Sequence, residues 1–250
     1  MKKSLSFASS FRPLLALVVI GLASPTLWAQ NNQGPQGVRV RLVNVKTDAV
    51  PQFEAAIRDL SASLKAQGQP FFHVYQRLLG DNLPSYTLIT PDPMFGGDTT
   101  NVQLPQDVIT RIVATVNGST LASVQTYPEL SIAGTGLAPP ADFLYTRVRV
   151  TSPANQQAYV QWQQELAGVL KKAGLKDLRV GRVVVGGNTN TFLRWSFLEK
   201  FPGDDGLNID GTIGERDFQR LLARGAALTV ASEDYVLRFR KELSFTAAQQ

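Results

Sequence analysis

The sequence predicts an α+β protein built from two tandem βαββαβ units whose antiparallel sheets pair within one chain. Three observations carry this. An alternating opening occurs twice, as Val38-Arg39-Val40-Arg41-Leu42 and as Thr146-Arg147-Val148-Arg149-Val150. Each opening is followed by an amphipathic stretch of helical period, then by two β-rich stretches joined at a glycine-bearing turn, Gly80-Asp81-Asn82 or Gly186-Gly187-Asn188. Each copy closes on the same tripeptide, at Glu129-Leu130-Ser131 and at Glu242-Leu243-Ser244.

Lys2 and Lys3 start the chain, residues 14–23 are apolar except for Gly21, and Pro25 and Ala29 lead into a polar run. That apolar run is shorter than the roughly 20 residues a membrane span needs. A positive start, a short apolar stretch and a small residue at its exit predict a secretory signal peptide over 1–29. Residues 30–37 read as a flexible leader. A periplasmic or secreted protein is expected, with no membrane span once the signal is removed.

The first unit is expected over 38–133. Its opening strand places Val38, Val40 and Leu42 on one face and Arg39 and Arg41 on the other. The apolar set is expected under the helices, which leaves the arginines facing the space between the two sheets. Val50, Phe53, Ile57, Leu60 and Leu64 then draw one helical stripe behind the cap candidate Asp48, and Gly68 and Pro70 stop it. Strands follow at 71–79 and 85–90. A loop over 91–103 holds Gly96-Gly97, and Pro105 suits the first turn of a second helix ended by Asn117-Gly118. A fourth strand is expected at 121–127.

A Gly/Pro linker over 134–141 joins this to a second unit over 142–246. There the helical stripe is Tyr159, Trp162, Leu166, Val169 and Ala173, ended by Gly174, with Trp162 in the helical place of Phe53. Strands are expected at 178–185, 191–198 and 235–243, with a loop over 201–211 and a helix carrying Phe218, Leu221 and Leu222. A βαββαβ unit covers one sheet face with helices and leaves the other bare, so two units are expected to join bare faces or close into a barrel.

Composition removes several function classes. The formal charge of +5 falls to +2 once Lys2, Lys3 and Arg12 leave with the signal, so nothing points to nucleic acid. The absence of Cys excludes disulfides, thiolate nucleophiles and Cys-ligated metals. The single His, His73, excludes a His-based metal cluster. Asn208, Asp210, Gly211, Ile213 and Asp217 fall at spacings of a calcium loop, but Gly206 supplies no oxygen at its first position. A turn-rich loop leading into the next helix is expected there, and no metal site.

Arg39-Val40-Arg41, His73-Val74-Tyr75, Gly80-Asp81-Asn82 and residues 86–91, in this order, resemble the dimeric α/β-barrel superfamily. That superfamily includes antibiotic-biosynthesis-monooxygenase-like and NIPSNAP-like proteins, and the resemblance covers nearly all of 38–245. It implies ferredoxin-like units. In most members two chains supply the two halves, whereas here one chain supplies both. Cofactor-free oxygenases of the superfamily hold aromatic substrates between helices and sheet. Haem-binding relatives use a helical His, whereas His73 falls on a strand, so no cofactor is predicted.

The candidate catalytic residues are His73 and Tyr75, as general base and cavity donor. The candidate ligand-binding residues are Arg39, Arg41, His73, Tyr75, Tyr86, Arg147, Arg149 and Arg194, with Arg238 and Arg240 beside them. Guanidinium groups between two sheets need either internal carboxylates, for which Glu129, Glu199 and Glu242 are available, or an anionic ligand. Three function classes follow: a non-catalytic module binding a small aromatic or anionic molecule, a cofactor-independent oxygenase, and a structural protein with a filled barrel. A monomer or a homodimer fits each.

Overall fold

The computed structural model describes residues 37–79, 84–92, 104, 106–119, 125–134, 140–175, 177–184, 187–201 and 209–247, with the backbone alone at 37, 125–134 and 209–210. The signal and leader, the Gly80-Asp81-Asn82 turn, most of the 91–103 loop and the core of the linker lie outside the described residues.

The first unit runs β1 (Gly37–Asn44), α1 (Val50–Ala66), β2 (Phe71–Arg77), β3 (Ser85–Pro91), α2 (Gln106–Ser119) and β4 (Gln125–Gly134). The second runs β5 (Phe143–Thr151), α3 (Gln156–Lys172), β6 (Asp177–Val183), β7 (Thr191–Leu198), α4 (Ile209–Ile213), α5 (Glu215–Ala227) and β8 (Thr229–Phe239), with a short β9 (Phe245–Thr246). α1 and α3 stop where Gly68 and Gly174 turn the backbone to positive φ, 78° and 107°, which glycine adopts without the strain a Cβ brings.

The eight long strands close a ring. In each unit the first strand pairs the third and fourth, and the second pairs the third. The last strand of each unit crosses to the second strand of the other, β4 to β6 and β8 to β2. Every strand thus has two antiparallel neighbours, and the fold is an α/β barrel closed within one chain.

A closed barrel has an inside, and here the inside is filled. Val38, Tyr75, Ile89, Leu144, Trp195 and Leu237, each from a different strand, belong to one cluster with no helical member. Two further clusters lie outside the wall. α1 packs Phe53, Ile57 and Leu64 on Phe72, Val74 and Leu88, and α3 packs Tyr159, Trp162 and Leu166 on Leu178, Val180 and Phe192. Burying one such side chain contributes about 1.5–3 kcal/mol.

This arrangement reverses the expected faces of the opening strands. Val38 and Val40 belong to the lumen, with Leu42 packed on them, whereas Val43 and Val45 pack under α1. Arg39 and Arg41 alternate with the lumen set and share the helix-facing side with Val43. In the second unit Leu144 and Val148 are with the lumen, so Arg147 and Arg149 face the helices. Both faces of a barrel wall are covered, so apolar residues on one face of a strand do not mark the helix side.

The units correspond with a constant offset. Gly37 and Phe143, Val50 and Gln156, Phe71 and Asp177, and Ser85 and Thr191 are each 106 positions apart. Strand pairing agrees, since Arg41 lies opposite Leu88 and Arg147 opposite Arg194. Arg41 therefore corresponds to Arg147, not to Arg149, and Phe53 to Tyr159, not to Trp162. The repeated tripeptide is not equivalent either: Glu129-Leu130-Ser131 lies in β4, while Lys241–Leu243 is a 3₁₀ turn after β8. Where a turn-rich loop is expected, the chain forms helix α4, with Asp210 and Gly211 inside it, and Asp217 is already in α5. Asn117 and Gly118 lie within α2, not after it.

Candidate functional site

The helix-facing side of the second unit holds polar residues where the first unit has core. Under the 106-residue offset, Val43, Phe53, Ile57 and Leu88 correspond to Arg149, Tyr159, Gln163 and Arg194. All four first-unit residues are buried in the cluster beneath α1. Their counterparts form a polar layer between α3 and the strands β5 and β7.

Its sheet side is one cross-strand row. Asp234 of β8 lies opposite Arg147 of β5, Arg147 opposite Arg194 of β7, and Arg194 opposite Val180 of β6. Residues directly opposite stand about 5 Å apart at Cβ, and like charges so placed destabilise a sheet. Arg149 follows on the same face of β5.

The one carboxylate of the row meets the two outer arginines. Asp234 forms a short ion pair with Arg149, approaches Nε of Arg147 at 3.7 Å, and accepts a hydrogen bond from the Tyr145 hydroxyl at 3.2 Å. Burial pushes its carboxyl up, but the hydrogen bond and charge of Arg149, with Arg147, outweigh that and hold it below the usual range. The Arg147 guanidinium also lies over the Tyr145 ring, 4.5 Å from its centroid.

Arg194 sits behind them, only 4% exposed, with its Nη1 buried and without a hydrogen-bond partner. Burial, then the charge of Arg147, lowers its pKa to about 9, so it remains charged at neutral pH. From α3, the amide of Gln163 donates to the Tyr159 hydroxyl at 2.7 Å, and its Oε1 is left without a partner. Burial raises the Tyr159 phenol, against the pull of the Gln163 hydrogen bond and of Arg194, Arg149 and Arg147. Arg147 and Arg149 are 31% and 21% exposed in their side chains, so the row opens to solvent at its outer end. A buried cation with one unpartnered donor behind an open pair of arginines has the chemistry that suits negatively charged oxygen.

The other sequence candidates fall elsewhere. Arg39 is on the helix-facing side of the first unit and pairs with the fully buried Asp92 at 3.4 Å. Arg41 is half-buried, and burial and the charge of Arg39 lower it to about 10. Tyr86 faces α1 and donates to Glu54 at 2.7 Å. Glu54 also pairs with Arg240, which reaches Gln76 and Glu242, so Arg240 ties the second unit's tail to the first. Arg238 is exposed.

His73 and Tyr75 point into the filled lumen. His73 is 7% exposed, stacked 4.7 Å from Phe71 and hydrogen-bonded to the Thr246 hydroxyl at 2.9 Å. Tyr75 is fully buried, with its ring 5.2 Å from Phe239. An axial haem ligand needs open space at its free nitrogen, and the surroundings of His73 do not fit one. Arg179 is also in the lumen, 1% exposed, its guanidinium 5.9 Å from the Trp195 ring. Glu129, named above as a partner, is described by its backbone alone.

Tyr159, Gln163 and Asp234 were not legible as site residues. Tyr159 counts as one more apolar stripe member until its neighbours are seen. The available signal is Gln163, a polar residue four positions after Tyr159, on the face a helix keeps apolar.

No protein-family profile matches the chain, and no curated protein matches it in sequence. Solved structures do match in fold. A candidate monooxygenase from Fusobacterium nucleatum aligns with a TM-score of 0.64 at 14% identity, covering 86% of this chain and 96% of that one. A candidate monooxygenase from Lactobacillus acidophilus gives 0.59 at 9% identity, covering 85% and 96%. An anthrone oxidase-like protein gives 0.56 at 11%, covering 87% and 95%. The strand ring and these neighbours agree, and the chain shares the α/β-barrel fold of those structures. Both halves of the barrel come from this single chain, and no helix among the described residues is long and apolar enough to cross a membrane.

Proposed function

We propose that this is an exported, non-catalytic protein that binds a small anionic molecule between α3 and the sheet of its second unit, on Arg147, Arg149 and Arg194. The observation that carries the reading is Arg194: a buried guanidinium with an unpartnered nitrogen, at a position where the first unit has Leu88. An uncompensated buried charge costs several kcal/mol, and a binding role gives that cost a return. Export rests on the signal-like residues 1–29. The barrel seam is satisfied within the chain, which supports a monomer.

A cofactor-independent oxygenase is the second reading, since the neighbouring folds include candidate monooxygenases and an anthrone oxidase-like protein. Its candidates His73 and Tyr75 are enclosed by Phe71 and Phe239, which favours the binding reading. Titration calorimetry with a panel of small carboxylates, sulfate and phosphate esters tests it. Saturable binding that vanishes in Arg194→Leu is expected. A panel with no binder, or one that binds Arg194→Leu equally well, overturns the reading.

A further inference from the structure

We infer that the anion held by Arg147, Arg149 and Arg194 carries two negative charges. The inference rests on the anion-binding reading above and names its ligand class: a phosphate monoester, a sulfate or a dicarboxylate, against a simple monocarboxylate.

The count of charges comes first. Three guanidinium groups share the helix-facing side of β5 and β7, and the row contains one carboxylate, Asp234. The side chains of the row therefore carry two positive charges in excess. Asp234 makes its ion-pair contacts with the outer pair, Arg147 and Arg149, and acts on Arg194 only at longer range. The positive charge of Arg194 has a tyrosine and an amide above it and an arginine beside it, with Val180 opposite on the far strand. A monoanion docked on Arg194 would leave one cation uncompensated at the half-buried outer end. A dianion balances the row.

The donors agree. Nη1 of Arg194 is buried without a hydrogen-bond partner, and Nε of Arg147 is buried with only the longer ion-pair contact to Asp234 at 3.7 Å. They belong to directly opposed residues of neighbouring strands, which puts the two guanidinium groups on one face of the sheet. Arg149, two positions along β5, supplies the third approach. In the first unit the same row reads Thr126, Arg41, Leu88, Val74, with one cation and an apolar neighbour. The second unit differs by an added positive charge on β7, while β5 keeps two cations but shifts them inward along the strand, with Tyr145 and Arg149 where the first unit has Arg39 and Val43.

The test uses ligands of one shape and two charges. Sulfate and methanesulfonate are both tetrahedral oxyanions, one a dianion and the other a monoanion. Methyl phosphate loses its second proton near pH 6, so it is a dianion at about pH 8 and a monoanion at about pH 5. Binding to the full chain is measured by calorimetry at fixed ionic strength, since surface charges are screened by salt. Sulfate is expected to bind at least about tenfold tighter than methanesulfonate, which is about 1.4 kcal/mol. Methyl phosphate should lose about tenfold from pH 8 to pH 5 while sulfate stays unchanged, and Asp234→Asn should tighten sulfate. Equal affinities for sulfate and methanesulfonate, both lost in Arg194→Leu, would sink the dianion and leave the anion site standing. Equal affinities retained in Arg194→Leu, or no binding by either, would remove the site as well.

Discussion

Arg194 and Leu88 occupy the same place in the two halves of the barrel: each faces the covering helix from the third strand, directly opposite Arg147 and Arg41 respectively. One half is thus an internal control for the other. Leu88 belongs to a packed apolar cluster, while Arg194 brings a charge into the equivalent layer with no carboxylate on it. Arg194→Leu should therefore raise stability by about 1–3 kcal/mol, because an apolar residue replaces a poorly compensated buried charge. Urea melts check this, and a destabilised variant would show that Arg194 is structurally paired after all.

The same comparison explains a size exchange between helices. Trp162 of α3 corresponds to Ala56 of α1. Ala56 and Ile112 line an open groove of about 300 Å³ between α1 and α2. In the second unit the Trp162 indole fills that place, donating to the Leu221 carbonyl at 2.7 Å and lying against Gly225. A Cβ on Gly225 would overlap the indole ring, which packing and the hydrogen bond hold in place. Gly225→Ala should cost about 1–3 kcal/mol, against the gain alanine usually brings to a helix. Thermal melts showing a stabilised variant would contradict this contact.

Glu54 joins the units. It receives Arg240 at 2.5 and 2.9 Å and the Tyr86 hydroxyl at 2.7 Å, with Glu54 and Arg240 both less than one-fifth exposed. Glu54→Ala leaves Arg240 with Gln76 and Glu242 and removes the acceptor of Tyr86. A loss of about 2–4 kcal/mol is expected, with Glu54→Gln intermediate because it still accepts from Tyr86. Chemical denaturation of both variants decides whether the order holds.

His73 makes the barrel acid-sensitive. Burial lowers its pKa from 6.5 to about 4, so the folded protein keeps the ring neutral. The unfolded chain takes up the proton first as pH falls. The stability held by neutral His73 is complete above about pH 6.5 and is lost progressively down to about pH 4, roughly 3 kcal/mol in all. His73→Phe should flatten the stability profile across that window. NMR can follow the ring directly, because the chain has one histidine. An imidazole titrating near 6.5 in the folded protein would refute the assignment.

Element types and their order were legible in the sequence because they follow from local rules. Alternation marked β1 and β5, three-and-four spacing marked α1 and α3, and Gly68 and Gly174 marked the ends of both helices. Arg147, Arg149 and Arg194 were also picked out, since charged residues in strands otherwise apolar stand out against the pattern. Short-range physics sets these features, and it is written in adjacent residues.

Two things were decided only by the tertiary structure. One is which face of each strand lies inside. Period-two alternation separates two faces but does not rank them, and in a closed barrel both are covered, one by the lumen and one by helices. The other is the register between the halves. Sliding the Arg-Val-Arg repeat by two residues leaves every side chain on its own face, so the pattern cannot sense the slip. Pairing across the sheet can, because Arg41 meets Leu88 and Arg147 meets Arg194. That contact between strands far apart in sequence turns a weak repeat into an apolar core in one half and a charged site in the other.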